Sequence, residues 1–243
     1  MKLEIIGFNI ESCRAAQEAG ADRIELCANP AEGGTTPSHG FIKKAREILS
    51  IELYIMIRPR GGNFIYSGNE LEIMNEEILI CKQLGCDGIV LGILTREGTV
   101  DKNNCSKLIN YAYPLGVTFH RAFDRTADPM QSLEDIIDIG CERILTSGHQ
   151  PKAMDGLDEI KALVQQADDR IIIMPGSGIN SENITNMAKQ SGATEFHSSA
   201  SVMKKTTGVY NNVSLQENAE HVIVNKHEVA AMRKVADELQ LRS

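Results

Sequence analysis

The sequence predicts an α/β fold, a single (β/α)8 TIM barrel followed by an extra C-terminal segment and helix. The first observation is the length of 243 residues, which is typical of one complete barrel. The second is a phrase that occurs at 19–26, 84–91 and 139–146, with a weaker copy at 191–197. Each copy reads as a helix end, a glycine, a short loop and a strand, because glycine relieves the left-handed conformation that ends many helices.

Eight short apolar segments are the third observation. They begin roughly 20 to 35 residues apart, which is the spacing of successive strand–helix units. Their near-continuous hydrophobicity is typical of parallel strands that helices cover on the outside. A doubly wound open sheet is the alternative fold. The predicted strands begin near Leu3, Arg23, Glu52, Asp87, Val117, Arg143, Ile171 and Glu195.

The segments between the strands carry apolar residues at helical spacing. We expect the barrel to occupy residues 1–200 and an extension to occupy 201–243. Residues 201–222 are polar without clear periodicity, which predicts a long surface segment, and the helix after it packs on the barrel or on a partner subunit. The apolar stripes are Leu71, Met74, Ile78 and Cys81; Leu157, Ile160, Leu163 and Val164; and Val229, Met232, Val235 and Leu239.

The composition argues against several classes of function. A formal net charge of −8 is unlike a nucleic-acid-binding protein, whose interface is basic, and unlike a protein held by anionic lipid. The apolar stretch at the first residues is too short and too soon interrupted for a signal peptide. The longest apolar runs have only the length of a strand, so we expect no membrane span. The six cysteines form no C-x-x-C pair, which favours reduced thiols in a cytoplasmic protein.

The end of the third predicted strand carries two arginines around a proline, Arg58 and Arg60. In a TIM barrel the ligand binds at the C-terminal ends of the strands. Two guanidinium groups at that rim suit a carboxylate or a phosphate. A structural salt bridge to a neighbouring carboxylate such as Glu25 is the alternative interpretation.

The end of the fifth strand carries the densest group of polar residues, His120, Arg121 and Asp124. His120 is a candidate general base or metal ligand, and Asp124 is a candidate to orient it or to act as a ligand itself. Glu25, at the end of the second strand, is a further candidate for proton transfer. Arg121 adds another cation to the predicted anion site.

The loop after the seventh strand contains Gly176, Ser177 and Gly178 before a predicted helix. Glycine-rich loops at this place in the fold commonly hold a phosphate group. His197 and Ser198 end the eighth strand and complete the predicted site. No lysine stands clearly at a strand end, so Schiff-base chemistry is not favoured. Together these residues predict a small phosphorylated or carboxylated ligand.

Five stretches in this order resemble the CutC family: 23–27 (RIELC), 33–38 (GGTTPS), 57–62 (IRPRGG), 118–124 (TFHRAFD) and 145–148 (LTSG). The resemblance covers nearly the whole chain. It implies a cytosolic TIM barrel associated with copper homeostasis, with Cu(I) bound through cysteine and no assigned reaction. Cys27 matches the family's Glu-Leu-Cys motif and is the candidate copper ligand. The first strand reads Ile5-Ile6-Gly7, where some members carry cysteine.

The chemistry of these stretches differs from a copper site. Cu(I) prefers cysteine and methionine sulfur, whereas the motifs are rich in Arg, His, Glu and Asp. Three hypotheses therefore remain open at this point. The first is a copper-homeostasis barrel that binds Cu(I) at Cys27, the second is an enzyme acting on a small anionic metabolite, and the third is a scaffold that forms a homodimer through its C-terminal segment.

Overall fold

Eight parallel strands form the centre of the computed structural model, which describes residues 1–205, 210, 214 and 220–241. Every strand begins within one residue of its predicted start. The strands are β1 (Lys2–Gly7), β2 (Arg23–Leu26), β3 (Glu52–Met56), β4 (Gly88–Leu91), β5 (Gly116–Phe119), β6 (Arg143–Thr146), β7 (Ile172–Pro175) and β8 (Glu195–Ser198).

The hydrogen-bonded order of the strands is β7-β6-β5-β4-β3-β2-β1-β8. β7 also contacts β8, so the sheet closes on itself. A doubly wound sheet would instead reverse its strand order at a switch point. The predicted (β/α)8 barrel is therefore confirmed.

Seven helices follow the strands around the outside of the barrel, and an eighth ends the chain. In the three helices with a predicted apolar stripe, the stripe residues are buried or partly buried, and Ser67 and Glu70 form a capping box at one helix start. The helices are α1 (Ile10–Glu18), α2 (His39–Ile48), α3 (Gly68–Gln83), α4 (Lys102–Ala112), α5 (Pro129–Asp138), α6 (Leu157–Ala167), α7 (Ile184–Ser191) and α8 (Lys226–Gln240). Among the residues described, no helix has both the length and the hydropathy to cross a membrane.

Each strand sends alternate side chains into the barrel and toward the helices, as the two-residue period of a strand requires. On β2, Ile24 and Leu26 pack in the main core between sheet and helices. Arg23 and Glu25 point into the barrel, followed by Cys27, which packs in a smaller inner cluster. Successive inward positions along one strand therefore lie at increasing height in the barrel.

The C-terminal extension contains a two-stranded antiparallel ribbon of β9 (Ser201–Lys205) and β10 (Glu220–Val224). The surface segment predicted over 201–222 is exposed at 201–205, as expected, but the described parts at its two ends form strands that the sequence did not indicate. All of β9 is exposed, so no buried face imposes an apolar alternation on its sequence. Between the two strands, only Tyr210 and Ser214 belong to the described residues.

The final helix α8 packs on the barrel. Val229 and Met232 are fully buried, and the helix contacts α1 and α7. Of the two packing partners expected for this stripe, the structure thus selects the barrel.

Candidate functional site

Two adjoining cavities open at the C-terminal ends of the strands. The inner cavity measures about 100 Å³ and the outer pocket about 290 Å³, and both are lined by Gly33, Arg58, Phe64 and Arg121. The inner cavity is also lined by Ile6, Glu25, Met56, His120, Leu145 and His197. Another cavity of about 100 Å³ lies at the opposite end of β7, where Asp169 is its one titratable lining residue. The two cavities at the mouth therefore contain more titratable side chains than this one does.

Glu25 and His197 face each other across the inner cavity as part of a polar chain. His197 Nε2 lies 3.9 Å from Glu25 Oε2, and His197 Nδ1 lies 2.7 Å from Glu4 Oε1. The parallel register of β1 and β8 places Glu4 beside His197. Arg23 Nη1 donates to Glu4 Oε2 at 3.2 Å and continues the chain toward the bottom of the barrel.

Burial raises the pKa of Glu25 to about 7, and the charge of Glu4 adds to this effect while His197 and Cys27 oppose it. Burial alone would lower the pKa of His197, but the negative charges of Glu25 and Glu4 raise it. For Glu4, burial is outweighed by His197 and Arg23, which lower the pKa of that carboxyl. Glu25 can therefore exchange a proton near neutral pH, which is the condition for acid–base work.

His120 is buried at the end of β5, with its ring centre 4.8 Å from that of Phe64. Its Nδ1 accepts a hydrogen bond from the Ala122 N–H at 3.2 Å, while Nε2 has no partner among the described residues. Burial, aided by the charge of Arg58, lowers the pKa of His120 to about 3. The general-base role expected for His120 stays a prediction, but so low a pKa favours a different one.

Arg58 is a buried cation beside the inner cavity. Its guanidinium donates to the carbonyl oxygens of Glu32 at 2.6 Å, Gly34 at 2.7 Å and Gly62 at 3.2 Å. No carboxylate of the described residues forms an ion pair with it, and its Nε has no partner. The salt bridge to Glu25 that we considered as the alternative is not formed, so the positive charge of Arg58 stays uncompensated.

Arg121 lies where the two cavities meet and is held by Asp124. Asp124 Oδ2 accepts from Arg121 Nε at 2.7 Å, and Arg121 Nη2 donates to Ser147 Oγ at 2.7 Å. The other carboxylate oxygen of Asp124 accepts from Thr146 Oγ1 at 2.5 Å and from the His149 N–H at 3.3 Å. With its acceptor positions occupied, Asp124 joins the loops after β5 and β6 and positions Arg121. It forms no hydrogen bond with the His120 ring, whose Nδ1 accepts from Ala122 and whose Nε2 has no partner among the described residues.

Arg125 and Phe64 line the outer pocket although the motifs did not indicate them. Arg125 is exposed, lines the outer pocket and lies 5.3 Å above the Phe64 ring, which Arg58 approaches to 5.0 Å. No acidic partner for Arg125 occurs among the residues that the structure describes. Two arginines, Arg58 and Arg125, therefore lie over one aromatic ring at the mouth. Arginines after a turn are common, so nothing in the sequence singled out Arg125 as a residue of the mouth.

Arg60 is the predicted anion ligand that the structure places outside both cavities. Its Nε donates to Glu70 Oε1 at 2.6 Å, and its terminal nitrogens bind oxygens of Asn63 and Ile65. The guanidinium also stacks on Tyr66 at 5.2 Å. These contacts hold the loop between β3 and α3, so the structure favours a bracing role over ligand binding.

The predicted phosphate loop after β7 uses its polar groups internally. Ser177 Oγ donates to the Pro151 carbonyl at 2.7 Å, and Ser198 Oγ donates to the Ile179 carbonyl at 2.6 Å. The Gly178 carbonyl accepts from the Asn183 amide. A Cβ on Gly176 would lie 2.5 Å from Leu145, so this glycine permits close packing. The hydroxyl groups of Ser177 and Ser198 therefore already donate to main-chain carbonyls. The phosphate site at Gly176, Ser177, Gly178 and Ser198 stays a prediction.

The sequence is similar to known proteins over most of its length. The CutC family model matches residues 1–202. The chain belongs to the CutC family. It is 48% identical over 221 residues to the family protein CutC of Pasteurella multocida, covering 90% of this chain and 91% of the relative. The human copper homeostasis protein cutC homolog is 45% identical over 217 residues, covering 89% and 80%.

A solved CutC structure shares the architecture. The CutC crystal structure from Streptococcus agalactiae superposes with a TM-score of 0.79 at 37% identity, covering 82% of this chain and 98% of the other. The family assignment predicted from the five motifs is confirmed, and with it the association of CutC relatives with copper homeostasis by name.

Cys27, the predicted copper ligand, is fully buried between the inner cavity and the rim loop. Burial and the neighbouring Glu25 raise the pKa of the Cys27 thiol well above its ordinary value. A Cβ on Gly34 would lie 3.1 Å from Cys27 Sγ and 3.6 Å from Met56 Cε, so two sulfur side chains approach the same point. These soft donors suit Cu(I), but the thiol must lose its proton to bind.

The mouth also contains a set of harder donors in Glu4, Glu25 and His197, whose ligand atoms lie within 4.8 Å of one another. Carboxylate oxygen and imidazole nitrogen suit divalent cations better than Cu(I). Arg23 and His197 already pair with Glu4, so a cation here would compete with them. We did not predict Glu4 as a site residue. A charged residue inside an apolar parallel strand is rare, and this could have indicated it.

Proposed function

We propose that the barrel mouth binds a small anionic metabolite and catalyses a proton transfer on it. The observation that carries this proposal is the pairing of opposite, unsatisfied groups in the inner cavity. Arg58 is a buried cation without a carboxylate partner among the described residues, and Glu25 is a buried carboxyl whose Oε1 has no hydrogen bond. Buried charges are normally paired and buried polar atoms normally bonded, so a ligand is the natural partner of both.

The arginines supply the binding energy. Arg58 is fixed by three carbonyl oxygens, and Arg121 is fixed by Asp124 and Ser147, so neither loses much side-chain freedom when an anion arrives. Arg125 adds an exposed charge at the outer rim. An anion that spans the two cavities would therefore meet two pre-positioned guanidinium groups.

Glu25 supplies the chemistry. Its pKa of about 7 leaves both the acid and the base populated near neutrality. His197 opposite it is held by Glu4 and can take up or return the proton through the polar chain. His120 is the third polar group that meets the same cavity.

Binding of two simple anions tests the proposal. Oxalate and inorganic phosphate are titrated into ¹⁵N-labelled protein, and the amide shifts of the mouth loops are followed. We expect Arg58→Gln to weaken oxalate binding by about tenfold or more. Arg46→Gln is the matched control, since Arg46 also binds main-chain carbonyls but lies on α2, away from the mouth. Wild-type protein that binds neither anion, or an equal loss in both variants, would contradict the proposal.

Copper binding is a second candidate, supported by the family name and by the approach of Met56 to Cys27. Under this proposal Cu(I) is cargo, held transiently by the two sulfurs after the thiol loses its proton. An anaerobic competition titration against a chromophoric Cu(I) chelator tests it. Cys27→Ser should abolish competition and Cys105→Ser, a buried cysteine of α4, should not. If neither variant changes the titration, Cys27 is not the ligand.

A cytoplasmic location and a homodimer are also part of the proposal. All six cysteines are unpaired and buried, which supports a reducing compartment. Val202 and Met203 are exposed apolar residues of β9 and would lie in a dimer contact made by the extension. Sedimentation of wild-type protein and of a Val202→Lys variant tests the second point.

A further inference from the structure

We propose that the inner cavity catalyses proton abstraction from the carbon next to a carbonyl group, with Glu25 as the base and the Nε2–H of His120 as the donor to the carbonyl oxygen. The substrate class is a small carbonyl compound that carries a carboxylate, such as a short 2-oxo acid. This inference rests on the proposed function and deepens it, because it names the reaction, the role of His120 and the kind of molecule.

The tautomer of His120 follows from its surroundings. The Ala122 N–H points at Nδ1, so Nδ1 must be the acceptor and the ring proton must sit on Nε2. Nε2 is buried and has no partner among the described residues. A neutral, fixed N–H donor that faces a cavity is the arrangement that stabilises a developing oxyanion.

The unsatisfied polar atoms are concentrated at this place. Seven buried side-chain nitrogen or oxygen atoms of the described residues have no hydrogen bond, but two of them, His149 Nδ1 and Glu159 Oε1, lie 2.6 Å apart as a pair. Three of the other five belong to residues that line the inner cavity. These three are Glu25 Oε1, Arg58 Nε and His120 Nε2. One is a proton acceptor, one a charged donor and one a neutral donor, so together they offer three different contacts to a single small molecule.

Those contacts match the three parts of a 2-oxo acid. Glu25 removes the proton as the C–H bond breaks, and the electron pair forms a C=C bond while the carbonyl π pair moves to oxygen. The His120 N–H then hydrogen-bonds the enolate oxygen, and Arg58 with Arg121 holds the carboxylate. Return of the proton from Glu25 to the same carbon gives exchange, and its return to a neighbouring atom gives isomerisation, so no oxidant or further reactant is needed.

A neutral imidazole suits this role better than a charged one. Burial and the charge of Arg58 keep the pKa of His120 near 3, so the ring stays neutral and keeps its Nε2–H as a donor. A buried glutamate base opposite a neutral histidine donor is a known division of labour in enolisation. The cavity of about 100 Å³ and its apolar walls of Ile6, Met56 and Phe64 restrict the substrate to a few carbons.

Hydrogen–deuterium exchange tests the proposal directly. Pyruvate and 2-oxobutyrate are incubated with the protein in D₂O, and loss of the C3 proton signal is followed by NMR. We expect exchange above the buffer rate, lowered about 100-fold or more by Glu25→Gln. Glu77→Gln is the matched control, because Glu77 is a partly buried carboxyl bonded to Thr36 outside both cavities.

Two substitutions of His120 separate its proposed role from packing. His120→Phe keeps a ring against Phe64 but has no N–H, and should lower exchange by about 10- to 1,000-fold. His120→Asn keeps a donor and should restore part of the rate despite poorer packing. Equal exchange rates in wild type and His120→Phe would overturn the donor role of His120. Loss of exchange on adding a metal chelator would also overturn it, because a metal ion would then stabilise the oxyanion.

Oxalate separates failure of this inference from failure of the proposed function. Oxalate mimics the planar enolate of pyruvate, so we expect it to bind at least about tenfold more tightly than pyruvate. If oxalate binds at Arg58 but neither 2-oxo acid exchanges, the anion site stands and the carbonyl chemistry is wrong. If oxalate does not bind either, both proposals are wrong.

Discussion

Buried charge is arranged differently at the two ends of the barrel. At the N-terminal end, Arg23 is completely buried and donates to Glu4, Glu52 and Glu195, and Glu195 also accepts from Arg143 at 2.7 Å. At the mouth, Arg58 has no acidic partner among the described residues, and Glu25 and His120 each keep an unbonded atom. These ion pairs, which we call the bottom network, satisfy their charged groups without a ligand, whereas the charged groups at the mouth are left partly unsatisfied. We infer that the first stabilises the fold and the second is kept for binding.

The largest effect should come from breaking the bottom network. Arg23→Met leaves Glu4 and Glu195 buried with fewer cationic partners, and we expect the free energy of unfolding to fall by about 3–5 kcal/mol. Urea denaturation measures this. Lys2→Met removes an exposed partner of Glu52 and should cost less than about 1 kcal/mol. If Arg23→Met lowered the free energy of unfolding by less than about 1 kcal/mol, the structural role of the network would be contradicted.

A pH-dependent effect is expected at the mouth. Because the pKa of Glu25 is about 7 in the folded protein, the folded state holds this proton more firmly than the unfolded state. The associated stability is complete below about pH 4.5 and is lost as the pH rises through 7, a change on the order of 3 kcal/mol. Glu25→Gln should therefore gain stability relative to wild type between about pH 5 and pH 8. The same comparison for Glu72→Gln, on the exposed surface of α3, should be flat.

A smaller effect should follow from changing the mouth without touching its interior. Arg121→Met should weaken oxalate binding by about tenfold, near 1.4 kcal/mol, because one charged donor to the anion is lost. The free energy of unfolding should change by less than about 1 kcal/mol, since the Arg121 side chain is 42% exposed. Arg121→Lys should fall between the two in affinity, because it keeps the charge without the planar fork. Unchanged affinity in Arg121→Met would remove this residue from the site.

The smallest effect on binding is expected at Arg60. Its guanidinium holds the loop after β3 through Glu70, Asn63 and Ile65, and lines neither cavity. Arg60→Met should change the dissociation constant of oxalate by less than about twofold and lower stability by about 1 kcal/mol. Isothermal titration and thermal unfolding give the two values. A large loss of affinity at normal stability would restore Arg60 as a ligand.

The fold was predictable because local and global signals agree. Short apolar strands at regular spacing and glycines at helix ends fixed all eight strand starts, and the stripe through Val229 and Met232 revealed α8. The ribbon of β9 and β10 was missed because β9 is fully exposed and β10 has a single buried residue, Val224, so no alternating buried face leaves a pattern in the sequence.

The site was predictable only in part. The rule that ligands bind at strand ends selected Glu25, Arg58, His120 and His197, and all four line one cavity; their functional roles stay predictions. It could not distinguish Arg58 from Arg60, because which of two arginines turns inward depends on loop contacts far apart in the sequence. Nor could it show that Asp124 is saturated with hydrogen bonds or that Nε2 of His120 is free, since both depend on partners from other strands.

An NMR titration of the Glu25 carboxyl in ¹³C-labelled protein, assigned by comparison with Glu25→Gln, tests most directly whether the mouth contains a base. We expect a titration midpoint near pH 7, because the carboxyl is buried and one of its oxygens has no partner among the described residues. A midpoint at the ordinary glutamate value near 4.5 would contradict this expectation. Glu25 would then be an unperturbed carboxylate, and the mouth would have no base poised for proton transfer.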